Sequence, residues 1–279
     1  MKNYCWSRLF FFLIILSSTL KVFCSTETTN YKVHPLMSWA NGNSQTSSFG
    51  ADKLENDLTL YNNVFEASLT SVGSTQSVQF INFQPETQSF SWRTTFSLKS
   101  SSADNDNKVK SYSNLCLKQK ENPQIKGLKN FYTYWNWSLD QMSDGTVADV
   151  AYDIFTSFKK DCGGQSEGCA SHEIMVWLKA VGKSRPSGET TNKFVKLGSY
   201  DFEVWKGSVG GISVISLVPK DIDKVQYTNF KGDFKKLLQN DLTEFGVDKN
   251  EFICTTGAGI EVFKGSGTFL TRRARTHLN

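Results

Sequence analysis

Proline, histidine and internal repeats are scarce in this chain of 279 residues, and each shortage removes a class of architecture or site. Five prolines and the lack of an internal repeat argue against a proline-rich linker and against a solenoid. Hydrophobic and charged contents of 39% and 21% are those of an ordinary folded protein rather than a disordered one. The length accommodates one large all-β domain or two smaller domains.

The scarcity of histidine also limits the chemistry. His34, His172 and His277 are scattered along the chain, so neither a serine triad nor a metal cluster has a convincing base. The one short cysteine spacing, Cys162 to Cys169, lacks a second pair or histidines at matching spacing, which argues against a zinc site. We therefore expect no metal and no cofactor.

The N-terminus carries a short apolar run. Lys2 and Arg8 flank the start of the run 9–16, which is too short to span a bilayer and indicates a secretory signal cleaved after residue 24. Removing residues 1–24 lowers the formal net charge from +4 to +1. We therefore expect a secreted, extracellular protein without a general basic surface, without a nucleic-acid partner and without a membrane partner once the signal is removed.

Composition divides the remaining chain into three parts. Residues 25–48 form a lead-in rich in serine, threonine and asparagine, and residues 49–267 carry the strand and turn signals of one domain. Residues 268–279 form a basic tail that no longer alternates, either as a frayed end or as a weak binding segment for acidic wall polymers.

The four cysteines that follow the signal suggest an oxidising compartment. Cys162 and Cys169 enclose a glycine-containing loop, and we expect them to form a disulfide. Cys116 and Cys254 are then the remaining pair, or else they are buried free thiols.

Short alternating segments recur through the domain. Strand patterns lie at 89–96, 109–117, 130–139 and 147–155 and are separated by polar turns, which predicts an all-β sandwich or jelly roll. One helical pattern runs from Asn229 as a cap to Gly246 as a stop, and we expect it to pack against the sheets.

The segment His172–Leu178 combines a core face with a chemically unusual one. Ile174, Val176 and Leu178 alternate as in a half-buried strand, while Glu173, Met175 and Trp177 form the opposite face. That second row suits a ligand groove, although an ordinary edge strand has the same pattern.

Several of these strands carry a family resemblance. Segments 109–114, 148–156, 173–178, 204–207 followed by 213–218, and 259–263 resemble, in order and spacing, the signature strands of glycoside hydrolase family 12. The resemblance covers roughly residues 58–265 and is nearest to secreted xyloglucan-active endoglucanases.

The resemblance implies a jelly roll of two antiparallel sheets whose concave cleft binds a β-1,4-glucan chain, such as xyloglucan or a cellulose-like chain. It implies a retaining endo-β-1,4-glucanase with Glu173 as nucleophile, Glu261 as general acid and base, and Asp153 beside the nucleophile; we expect a monomer. Retention requires the two carboxyl groups to lie about 5–5.5 Å apart. We expect Asp153 to share a proton with Glu173, and the charge on Glu173 to raise the pKa of Glu261.

Further residues are candidates for binding sugar rings, although any single tryptophan is equally suited to the core. They are Trp177, Met175, Trp205, Trp137, Trp39 and Asn63. Asn136 begins a glycosylation sequon inside a strand-like run.

A second function stays open, that of a catalytically silent glucan-binding or decoy relative. Ile260 and Val262 flank Glu261 where family members have threonine and proline, and Phe65 replaces a substrate-stacking tryptophan. The presence of Glu173, Asp153 and Glu261 together favours the active enzyme.

Overall fold

The computed structural model describes residues 34–279, so the predicted signal and the first part of the predicted lead-in lie outside the described residues. Within this part of the chain, no helix has the length and apolar character needed to cross a membrane. The strands are β1 (Leu36–Ala40), β2 (Ala51–Lys53), β3 (Leu58–Tyr61), β4 (Thr75–Gln84), β5 (Ser89–Leu98), β6 (Ser111–Leu117), β7 (Phe131–Asp140), β8 (Val147–Ser157), β9 (His172–Val181), β10 (Glu189–Leu197), β11 (Tyr200–Val209), β12 (Ile212–Pro219), β13 (Asn229–Asp233) and β14 (Phe252–Leu278). The helical segments are short: α1 (Phe234–Lys236), a π-helical turn (Leu237–Asp241) and 3-10 turns at Ala67–Leu69, Ala103–Asn105, Ile125–Gly127, Gln165–Glu167 and Thr243–Phe245.

Two sheets share the long strand β14. Its C-terminal half lies in sheet A, in the order β1-β4-β5-β14-β7-β13, and its N-terminal half lies in sheet B, in the order β2-β3-β6-β14-β8-β9-β12-β11-β10. Most pairs are antiparallel, as predicted, but β12 and β9 run parallel, with Glu173 opposite Val214. The predicted jelly-roll sandwich is thus confirmed, with one parallel pair that the sequence pattern does not reveal.

Gly265 marks the place where β14 leaves sheet B and enters sheet A. Its φ of +105° lies in the region that favours glycine, and a Cβ there would lie 2.3 Å from Thr146 Oγ1. The pairing with β8 shifts register just before it, between Val262 and Lys264. A glycine and an adjacent irregularity let one strand serve both sheets.

The core lies between the inner faces of the two sheets. Ile174, Val176 and Leu178 are fully buried, as their alternation predicts. From sheet A, Trp92 stacks against Trp135 with ring centroids 6.2 Å apart. Since successive side chains of a strand point to opposite faces, Glu173 is directed away from this core.

The helical region is shorter than the sequence pattern predicts. Asn229–Asp233 is a strand whose Phe230 lies opposite Trp135 of β7, and helix α1 begins only after Asp233. The Asp233 side chain caps the helix by accepting hydrogen bonds from the backbone N–H groups of Lys235 and Lys236. The chain reverses at Gly246, which has φ +112° and is the predicted stop.

The structure confirms one predicted disulfide and contradicts the other. Cys162 and Cys169 are bonded, while Cys116 and Cys254 are free thiols. Cys116 lies opposite Gly257 in the β6–β14 pairing, and three residues along β14 place Cys254 about 10 Å further along the strand. That separation exceeds the reach of a disulfide, which requires Cα atoms within about 7 Å.

The C-terminal segment is a central strand rather than a frayed tail. Residues 268–278 are paired with β7 on one side, and residues 265–274 with β5 on the other. A register shift after Thr271 adds an exposed residue before Ala274 is buried again. The bulge breaks the period of two, which is why the sequence alone did not indicate a strand.

Candidate active site

Four carboxyl groups lie on the face of sheet B that points away from the core, which we call the carboxyl face. Glu261 is on β14, Asp149 and Asp153 are on β8, and Glu173 is on β9, so three adjacent strands carry them. Asp153 lies opposite Met175, which places Glu173 diagonally across from it. The structure therefore brings together the three predicted catalytic residues and adds Asp149.

These carboxyl groups are poorly hydrated. Asp149, Asp153 and Glu173 have exposed fractions of only 0%, 7% and 9%, and Glu261 is half-buried. Burial, followed by repulsion from Glu261, raises the pKa of Glu173 to about 7. Burial likewise raises the pKa of Glu261 to about 7. Loss of water is thus the main cause of the rise in the pKa of Glu261, and the expected contribution of the charge on Glu173 remains a prediction.

Asp153 behaves as expected for a carboxyl group that keeps a proton. Burial, followed by repulsion from Glu173 and Glu261, raises its pKa well above the usual range. Its buried Oδ1 has no hydrogen-bond partner among the described residues. A protonated Asp153 beside Glu173 adds no second negative charge, so Glu173 can ionise.

Asp149 was missed by the sequence analysis. It lies directly opposite Glu261 in the β8–β14 pairing, and both of its oxygens are buried without a donor among the described residues. Two carboxylates cannot satisfy each other without a proton. Burial, followed by repulsion from and hydrogen bonding to Glu261, raises the pKa of Asp149 well above its usual range. The signal was available, because Asp149 shares the period of two with Asp153.

Tyr112 on β6 is a second missed residue. Its hydroxyl crosses β14 and donates to the Ala151 carbonyl of β8 over 3.0 Å. Gly257 permits this crossing, since a Cβ there would lie 3.0 Å from the tyrosine Oη and Cε1. Burial, followed by the negative potential of Asp153, raises the pKa of this phenol well above its usual range. Tyr112 is therefore a neutral donor beside the carboxyl groups.

Two predicted binding residues remain on or beside this face. Met175 follows Glu173 in the same row and packs with partly buried Trp205 in one apolar cluster. The Trp205 Nε1 donates to Glu203 Oε2 over 3.2 Å, which orients its ring. Asn63 has a left-handed φ of +47°, and its carbonyl accepts from the Tyr112 backbone N–H over 3.0 Å, so it borders the site at β6.

Three predicted sugar-stacking tryptophans are instead buried. Trp177, Trp137 and Trp39 have exposed fractions of 1%, 1% and 6%. A pyranose ring can stack only on an open aromatic face, and these faces are covered by protein. Trp137 also donates to the Tyr227 carbonyl over 3.2 Å, which holds it in the core. Trp137 and Trp39 therefore pack the core between the sheets, while Trp177 packs with Met175 and Trp205 in the apolar cluster on the carboxyl face.

The remaining predictions concern metal and modification. Within residues 34–279 no group of three or more histidine, cysteine, aspartate or glutamate side chains is arranged to hold a metal ion. Asn136 lies on the outward side of β7, half-buried, with its Nδ2 donating to the Thr228 carbonyl over 3.3 Å. Glycosylation there remains a prediction.

Comparison with known proteins agrees with this geometry. Residues 56–276 match the model of glycosyl hydrolase family 12. A xyloglucan-specific endo-beta-1,4-glucanase 1 of Phytophthora sojae is 31% identical over 214 residues, covering 76% of this chain and 82% of that protein. An inactive glycoside hydrolase of Phytophthora nicotianae is 32% identical over 182 residues, covering 64% of this chain and 70% of that protein.

A solved structure agrees in fold. Endoglucanase 3 of Trichoderma harzianum superposes with a TM-score of 0.73 at 21% identity, covering 88% of this chain and 98% of that one. From the strands that carry its carboxyl groups and from these matches, the chain belongs to glycosyl hydrolase family 12.

Proposed function

We propose that this protein is a secreted endo-β-1,4-glucanase that hydrolyses xyloglucan with retention of configuration. The observation that carries the proposal is that Glu173 of β9 and Glu261 of β14 lie on the same face of sheet B, both with pKa values raised to about 7. Groups that titrate near neutrality are suited to exchange protons during a reaction. The substrate class is supported by the Phytophthora sojae relative, which is a xyloglucan-specific endoglucanase.

In the first step, ionised Glu173 attacks the anomeric carbon while protonated Glu261 delivers its proton to the leaving glycosidic oxygen. Repulsion between two carboxylates is mutual, so ionisation of Glu173 favours the protonated form of Glu261. Once the glycosyl–enzyme ester forms, that negative charge is lost. Glu261 then accepts a proton from the attacking water, and Glu173 leaves as a carboxylate.

Each aspartate interacts with one glutamate: Asp153 with Glu173, and Asp149 with Glu261. Protonated Asp153 donates to Glu173 and leaves it as the single negative charge on its side of the face. Asp149, opposite Glu261, holds that carboxyl group in place through the proton between them. We assign both aspartates as positioning residues, since they act through the glutamates.

A glucan-binding protein without catalysis is the second candidate, and the inactive Phytophthora nicotianae relative is the observation in its favour. The residues that flank Glu261 are weaker evidence for this second candidate than the sequence alone suggests. Ile260 and Val262 are fully buried in the core, on the face opposite to Glu261. Their apolar side chains therefore replace core groups, not groups that touch the sugar.

The test is the release of reducing sugar from xyloglucan and from mixed-linkage β-glucan by the secreted chain, Glu173→Gln and Glu261→Gln. We expect activity on xyloglucan that falls by at least about 100-fold in each variant. Equal activity in the three proteins would refute the assignment. No activity in a folded wild type that still binds xyloglucan would establish the second candidate.

A further inference from the structure

A cluster of cations occupies the outward side of sheet A, which we call the basic face. It comprises Arg93 on β5, Arg273 and Arg275 on β14, and Lys231 on β13, and all four are exposed. Arg275 lies opposite Tyr134 of β7, and Tyr134 lies opposite Lys231. Lys231 Nζ lies 5.7 Å from the Tyr134 ring centroid. The face is therefore a row of cation, aromatic ring and cation across adjacent strands.

Local folding directs these side chains outward. Arg93 follows the buried Trp92, and the pairing places it beside Leu270 on β14. The register shift after Thr271 then turns Arg273 and Arg275 to the same side as Arg93, with Ala274 buried between them. Without the bulge, Arg273 and Arg275 would both point to the same side as the buried Thr271, toward the core.

The charges of the basic face are not neutralised. Among the ion pairs of residues 34–279, none involves the arginines or the lysine of this face. In β5, β7, β13 and residues 265–278 the only acidic residues are Asp140, the last residue of β7, and Asp233, which caps helix α1, and neither forms an ion pair with the cations of the face. Like charges gathered on one sheet face repel each other and weaken the fold, so a bound anion would relieve this repulsion.

We propose that the basic face binds an acidic polysaccharide with one carboxylate per sugar ring, a polyuronate. The guanidinium group forms two parallel hydrogen bonds with a carboxylate, and the exposed Tyr132 offers its ring to a pyranose face. Two strand spacings separate Arg275 from Lys231 by about 10 Å, a span suited to an extended chain lying on an open sheet.

The spacing of the charges favours a polyuronate over a nucleic acid. Duplex DNA carries one negative charge per about 1.7 Å of its axis and requires a dense array of cations. Here uncharged outward residues separate the cations, among them Thr95, Leu270 and Asn136. Outside this face the chain has no positive excess, because its formal charge without residues 1–24 is +1 and the face alone carries four positive charges.

The basic face and the carboxyl face belong to different sheets, with the core between them. A polyuronate held on sheet A therefore leaves Glu173 accessible to a glucan chain. Where the two polymers occur together, binding to one raises the effective concentration of enzyme at the other. The binding itself does not rest on hydrolysis.

The test is affinity electrophoresis of the secreted chain in gels containing sodium polygalacturonate. The proteins are wild type, the triple variant Arg93→Gln, Arg273→Gln, Arg275→Gln, and a control with Lys118→Gln, Lys120→Gln, Lys224→Gln. The control removes the same charge from exposed positions outside the basic face. We expect retardation of the wild type and the control, a loss of at least about tenfold in affinity in the arginine variant, and weakening with added salt.

Glucan hydrolysis and thermal unfolding are measured for all three proteins as controls. They show whether each protein is folded, and they do not depend on polyuronate binding. Equal losses in the arginine and lysine variants would reduce the effect to net charge and overturn the proposal. So would the absence of retardation in the wild type. Tighter binding of duplex DNA than of polygalacturonate at equal salt would assign the face to nucleic acid instead.

Discussion

Asp149 is a buried carboxyl group that affects the protonation of another, Glu261. Its hydrogen bond lowers the pKa of Glu261, against the rise to about 7 that burial causes. Removing the donor should therefore let Glu261 keep its proton to higher pH. Because an asparagine amide still donates, Asp149→Asn and Asp149→Leu separate the hydrogen bond from the shape of the side chain.

We predict that Asp149→Leu moves the alkaline limb of kcat/KM on xyloglucan upward by on the order of one pH unit, with a lower kcat. Asp149→Asn should retain the wild-type limb to within a few tenths of a unit. The measurement is a pH profile of the three proteins. A limb that stays in place in the leucine variant would show that Asp149 does not act on Glu261.

At the scale of the element, β14 is the strand on which the fold depends. It carries Glu261 and forms part of both sheets. Its glycines also allow residues of β6 to pack closely against its backbone. At Gly259 a Cβ would lie 2.2 Å from the Ser113 carbonyl oxygen and 2.6 Å from Asn114 Cβ. Backbone cannot yield at such a contact, so the strand requires glycine there.

We predict that Gly259→Ala lowers the free energy of unfolding by about 2 kcal/mol or more, because the methyl group must displace β6. Gly127→Ala is the matched control, since nothing lies within 4 Å of a Cβ there and φ is not positive. Urea denaturation measures both. A Gly259→Ala protein as stable as the control would contradict the close approach of β6 and β14.

The Cys162–Cys169 disulfide closes the loop that precedes β9, the strand that carries Glu173. For a loop this short, the chain-entropy estimate gives about 2–3 kcal/mol of stabilisation. We therefore predict that Cys162→Ser with Cys169→Ser lowers the free energy of unfolding by about this amount, as measured in urea.

Thiol titration of the denatured, unreduced chain produced without residues 1–24 should find Cys116 and Cys254 as its two free thiols. A titre of zero would mean that these two cysteines are bonded after all.

For the whole molecule, the buried carboxyl groups make stability depend on pH in an unusual direction. Glu173 and Glu261 have pKa values of about 7 in the folded state, above the roughly 4.3 of an unfolded glutamate. The folded chain therefore holds more protons between these values. Their contribution to stability is fully present below about pH 4 and is lost as pH rises through 7.

We predict that the thermal midpoint falls between pH 5 and pH 8, by roughly 5 °C or more. Glu261→Gln should flatten this dependence, because the amide does not titrate, and should gain most at pH 8. Scanning calorimetry across this range measures both proteins. A midpoint that rises toward pH 8 in the wild type, or identical slopes in the two proteins, would contradict the raised pKa values.

Local patterns were sufficient for the fold class, whereas the resemblance to glycoside hydrolase family 12 supplied three of the four carboxyl groups. Ile174, Val176 and Leu178 are core residues because a period of two permits only one buried face, which also places Glu173 on the other. Cys162 and Cys169 pair because the loop between them is too short to separate them. Each of these properties follows from neighbours in sequence, so the sequence by itself determined them.

Long-range pairing decided the rest. The alternation around Trp137 and Trp39 does not show which face of the strand is buried. Only the packing of the two sheets against each other covers these two side chains. Asp149 acquires its role because β14 brings Glu261 opposite to it from more than a hundred residues away. Cys116 and Cys254 stay apart for the same reason, the register of β6 on β14. Hydrogen bonds to β5 and β7 on its two sides hold the basic tail in sheet A as a strand. The bulge after Thr271 then directs Arg273 and Arg275 outward, which creates the basic face.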